Sequence, residues 1–75
     1  MSISKAKREE AAYRCYLQGR ESFENGDITA AIDLFLQSLA LDVHFKTYAC
    51  LYDCYLQLGK HEQAAELTKI METQQ

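Results

Sequence analysis

Gly26-Asp27-Ile28-Thr29-Ala30-Ala31 returns as Gly59-Lys60-His61-Glu62-Gln63-Ala64, and the interval from glycine to glycine is the same as that from closing alanine to closing alanine. Such an interval, in a chain of 75 residues, marks two similar units, each a single supersecondary element that buries its apolar face against its neighbour. The two glycines sit where a helix has to stop, because glycine adopts the left-handed conformation that ends helices without the steric cost of a β-carbon. Asp27 is suited to open the next helix, since its carboxylate accepts from free backbone N–H groups and its charge suits the positive end of the helix dipole. Lys60 offers neither, so the second turn is expected to be the weaker. Gly19 and Ala31 are small at positions where paired helices would approach closely.

Hydrophobic spacing completes the helical reading. Ala31, Leu34, Phe35, Ser38 and Leu39 recur at three and four residues, as do Tyr48, Leu51, Tyr52 and Tyr55, the period of a helix buried on one side. Helices are predicted over about residues 4–25, 27–41, 45–58 and 60–73. No stretch alternates with period two, and no apolar run approaches the ~18 residues of a membrane span.

The pattern resembles the tetratricopeptide repeat. Gly19, Phe23, Gly26, Asp27, Ala31, Ile32, Phe35, Leu39, Leu41 and Asp42 stand on family positions in a first unit, and Tyr48, Leu51, Cys54, Tyr55, Gly59, Ala64 and Ala65 in a second. Cys15, Gln18 and Ser22 depart from the usual aromatic, leucine and tyrosine, and Val43 replaces the closing proline; the chain contains no proline. The resemblance implies an all-α fold: four antiparallel helices in two helix-turn-helix repeats, stacked as a short solenoid. Residues 1–11 would extend the first helix, residues 12–44 form the first repeat and residues 45–75 the second.

It also implies a binding surface, because the first helix of each such unit lines a concave face. The matching positions are Tyr13, Tyr16, Leu17, Arg20 and Glu24, then Lys46, Ala49, Cys50, Asp53 and Gln57. Tyr13, Tyr16, Leu17, Arg20, Lys46, Cys50 and Asp53 are the candidate groove, for a peptide or helix of a protein partner. A purely structural role competes with this, in which the tyrosines cover the core and Arg20 pairs with Asp53. The family's carboxylate clamp wants lysine and asparagine where Tyr16 and Arg20 stand, and asparagine at Cys50, so an apolar or aromatic segment is the expected occupant.

Small size raises the question of how the ends of the stack are covered, since about three units are usually needed for stability. Thr68 and Glu72 fall one repeat interval after Phe35 and Leu39, which reads as a solvated end. Ala64, Leu67 and Met71 nevertheless form an apolar stripe, and an exposed stripe of that kind finds partners. Self-association through it, giving a homodimer, is therefore the alternative function.

Other classes find little support. A net charge of −3 and a pI near 5.2 argue against nucleic acid, which needs concentrated positive charge. The one basic cluster, Lys5, Lys7 and Arg8, runs straight into Glu9 and Glu10, with Lys5–Glu9 at helical spacing. Met1-Ser2-Ile3-Ser4 precedes no signal core, so a cytoplasmic location is expected, without membrane attachment. Three cysteines do not make a disulfide framework. Cys50, Cys54, His44 and His61 lack the paired spacing of a zinc site, so no metal or cofactor is expected. No nucleophile–base–orienter set can be assigned either, and no enzyme activity is expected.

Overall fold

The computed structural model describes residues 4–73, so residues 1–3 of the expected N-terminal extension and 74–75 of the second repeat lie outside the described residues. The described chain forms α1 (Lys5–Glu24), α2 (Ile28–Leu41), α3 (Phe45–Gln57) and α4 (His61–Thr73), with no strand among the described residues. Each helix packs on the next along the chain, and α1 also touches α3. The molecule measures 39 × 30 × 17 Å, a slab two helices thick given interaxial distances of about 8–10 Å. This is the all-α, repeat-like stack expected from the sequence.

The two intra-repeat turns are built alike. Gly26 and Gly59 take φ of +85° and +73°. At the first turn Gly26 N–H donates to Phe23 O at 3.0 Å and Asp27 N–H to Ser22 O at 2.9 Å; at the second Gly59 N–H donates to Leu56 O at 3.0 Å and Lys60 N–H to Tyr55 O at 2.8 Å. That paired pattern is the Schellman motif, which satisfies the last carbonyls of a helix. The turns differ at the next residue. Asp27 Oδ1 accepts from Ala30 N–H at 3.2 Å, whereas Lys60 has no side-chain acceptor to offer, so the second turn lacks only this capping bond.

Between the repeats the chain breaks without proline. Asp42 and His44 are both extended, with φ of −161° and −143°, which separates α2 from α3. His44 then caps α3, its Nδ1 accepting from Lys46 N–H at 3.2 Å. Ser4 does the same for α1, accepting from Lys7 N–H at 3.3 Å.

Ala31, Phe35, Leu51, Cys54 and Leu67 form the core, with Tyr16, Phe23, Ile28, Ile32, Leu39 and Tyr48 among the half-buried residues around it. Phe35 is wholly buried and its ring lies against Gly19, where a Cβ would stand only 2.6 Å from Cε1. Ser38, also buried, donates its hydroxyl to Ala12 O at 2.7 Å and ties α2 to α1. Among the described residues no buried side-chain nitrogen or oxygen lacks a partner.

The α4 stripe requires a correction. Ala64 and Leu67 are only 2% and 8% exposed, and Met71 packs on the same core. The stripe faces α3 and is not an exposed association surface, because a second helix of the repeat covers its first with this very face. Ile70, on another side of α4, stays exposed.

Candidate functional site

The face formed by α1 and α3 carries two neighbouring cavities, of about 220 and 250 Å3. Tyr13, Tyr16, Leu17, Arg20 and Lys46 line the first. Arg20, Cys50 and Asp53 line the second. All seven residues read from the sequence as a groove are thus brought to one surface, and Arg20 is common to both cavities. Glu24 lines the second as well, while Ala49 and Gln57 line neither.

Repeat geometry explains this gathering. Tyr13, Tyr16, Leu17 and Arg20 recur at three and four residues along α1, which puts them on one face. Lys46 and Asp53 hold the same repeat positions on α3 that Tyr13 and Arg20 hold on α1, one repeat interval later. Packing of one unit on the next then sets the two stripes side by side.

An aromatic run connects the surface to the core. The rings of Tyr13 and Tyr16 stack with centroids 6.1 Å apart and planes 24° off parallel. Tyr16 in turn meets the Phe35 ring at 6.1 Å and 47°. Tyr13 is 59% exposed, whereas Tyr16 is half-buried. Tyr16 is therefore part core and part surface, and of the seven groove residues Tyr13 and Leu17 are the exposed large apolar ones.

Arg20 does not pair with Asp53, as the structural alternative expected. Its guanidinium lies 5.9 Å from the Tyr16 ring centroid and 3.9 Å from the Glu24 carboxylate. Glu24 is one turn along the same helix and the ring is one turn back, so both are within local reach. Asp53 is left without an ion pair among the described residues. Lys46 is likewise unpaired there.

Two of the thiols, Cys50 and Cys54, are harder to ionise than an ordinary cysteine. Burial pushes the Cys50 thiol up from its ordinary value, and burial pushes Cys54 up to about 11, the neighbouring Cys50 and Asp53 adding to the rise. A reactive cysteine needs the opposite shift. No group of three or more His, Cys, Asp or Glu among the described residues is placed to hold a metal ion.

Sequence reading missed several lining residues. Asp42 and His44 enter the first cavity from the inter-repeat connection, and Glu9, Ala12, Ser38 and Thr47 complete it. Phe23 and Phe35 line the second. The repeat pattern assigns Asp42 and His44 only to a connection, and Phe23 and Phe35 only to the core, so nothing in the spacing announces that they reach the groove. No helix among the described residues is long and apolar enough to cross a membrane. Comparison of the chain with protein-family models, with curated proteins and with solved structures gives no match.

Proposed function

We propose that this chain is a short tetratricopeptide-like module whose α1–α3 face binds a peptide or helix of another protein. The observation that carries this reading is the shared surface: two adjoining cavities meet at Arg20, beside a stacked tyrosine pair of which one ring is largely exposed. Tyrosine and arginine are the residues that dominate binding hot spots, as they join apolar area to a polar tip. Each cavity falls below the ~300–1,000 Å3 of a small-molecule site, so each has room for a side chain of a partner rather than for a cofactor. Burial pushes the Cys50 and Cys54 thiols up, which favours a binding role for them over a nucleophilic one. Three free cysteines suit a reducing compartment such as the cytoplasm.

Peptides selected from a random library on the immobilised chain test the reading. Bound peptide should shift backbone amide resonances of α1 and α3 before those of α2 and α4. The paired change Tyr13→Ala and Arg20→Ala should abolish capture while the melting temperature stays nearly unchanged, because both side chains are exposed and surface changes of this kind usually leave stability almost unaltered. Shifts confined to α2 and α4, or capture that survives the pair, would overturn the groove.

A further inference from the structure

Resting on that reading, we propose that the Asp53 end of the groove takes a lysine or arginine side chain, so that the chain selects partners with a basic anchor residue. The second cavity combines two carboxylates, Glu24 and Asp53, with one cation, Arg20. Arg20 is already engaged with the Tyr16 ring at 5.9 Å and with Glu24 at 3.9 Å. Asp53, by contrast, has no ion pair among the described residues. One acceptor at the rim therefore stands free, on a chain whose net charge is −3, and a field of that sign draws cations.

The lining beneath the carboxylate fits the stem of such a residue. Phe23 and Cys50 are half-buried, with the Phe35 ring behind them. Lysine and arginine bury their methylene chains on apolar surface while the charged head stays in a polar rim, and a cation over Phe23 gains from the face of its ring. An acidic side chain would meet the like charges of Asp53 and Glu24 here, and a neutral polar one would match Asp53 without the charge. The first cavity does not bias the choice: apart from Arg20, engaged with Glu24, and Glu9, paired with Lys5, its lining carries one charge of each sign, Lys46 and Asp42. Charge preference is thus concentrated at Asp53.

Random-peptide phage display on the full chain at low salt, with Asp53→Asn and Asp53→Lys as parallel baits, tests the assignment. Circular dichroism first establishes that both variants keep the wild-type helicity, as an exposed position allows. Peptides selected by the wild-type chain should carry lysine or arginine at one fixed position. Alanine at that position of a synthetic peptide should weaken binding about tenfold or more, the scale of a charge-assisted hydrogen bond. Asp53→Asn should weaken the same peptide by a similar factor, and Asp53→Lys should turn the selection towards aspartate or glutamate. Should selected peptides show no basic position, or bind Asp53→Asn as tightly as wild type while still being lost on Tyr13→Ala with Arg20→Ala, the basic anchor is wrong and the groove stands. Peptides indifferent to every one of these substitutions would overturn the groove itself and the anchor with it.

Discussion

A β-carbon at position 19 would stand 2.6 Å from Cε1 and 2.8 Å from Cδ1 of Phe35, a ring with no exposed surface through which to retreat. Overpacking of this kind costs about 1–3 kcal/mol, whereas alanine in place of a mid-helix glycine returns only about 1 kcal/mol of helix propensity. Steric crowding wins, so Gly19→Ala should lower the melting temperature by several degrees, read by thermal circular dichroism, at roughly 4–8 °C per kcal/mol for a domain of this size. An unchanged or higher melting temperature would show that the ring shifts freely. Cys54 makes a second, chemical claim at the same scale. Its thiol rises from an ordinary 9.0 to about 11, chiefly through burial, so the unfolded chain releases that proton first. Between about pH 9 and pH 11 the native state holds a proton that the unfolded state has lost, and stability falls as pH rises through that window. Urea denaturation of wild type and Cys54→Ala should show a shallower alkaline decline in the variant; parallel declines would assign the loss to other groups.

Helix ends were legible because they depend on one or two residues and their immediate neighbours. Asp27 and the two glycines signal their roles locally, and the structure gives them the capping bond and positive φ that those roles require. The contrast between the turns leads to paired predictions. Asp27→Ala should destabilise by about 1 kcal/mol, the usual cost of losing an N-cap acceptor, and Lys60→Asp should stabilise by up to a similar amount by supplying the missing one. Chemical denaturation reads both, and opposite signs are expected; a neutral Lys60→Asp would mean that the second Schellman turn already suffices. What the sequence left ambiguous was the direction in which side chains turn. An apolar stripe such as Ala64, Leu67 and Met71 has the same spacing whether a helix of its own repeat or a second molecule covers it, and only the packing on α3 decides. Arg20 was ambiguous for another reason. A long exposed side chain chooses among partners of nearly equal energy, so Glu24 and Tyr16 displace the cross-helix Asp53 without any change in the fold.

At the scale of the whole molecule, the outward faces of α1 and α4 differ from the face by which one repeat holds the other. Ile28, Ile32 and Leu39 of α2 pack on the cluster that holds Leu51 and Cys54 of α3. Their counterparts one repeat later in α4 are His61, Ala65 and Glu72, all exposed, and Phe35 is matched by the half-buried Thr68. At the other end, Gln18 and Glu21 of α1 are exposed where α3 has the buried Leu51 and Cys54. The surfaces that join repeat to repeat inside the molecule therefore have smaller or more polar counterparts where they face outward, which argues against end-to-end stacking of copies. Leu67→Glu probes the same face from inside the molecule. Since Leu67 lies in the core against α3, an unpaired carboxylate there should lower the melting temperature sharply instead of splitting a dimer, burial of an uncompensated charge being among the most costly single changes. A converse experiment is more demanding. Restoring the apolar stripe with His61→Ile, Ala65→Ile, Thr68→Phe and Glu72→Leu should give α4 the surface by which α2 holds α3, and sedimentation velocity should then show concentration-dependent association in the variant beside a monomeric wild type. A quadruple variant that stays folded and monomeric, or a wild-type chain that already associates, would show that the polar residues at α4 are not what closes the stack.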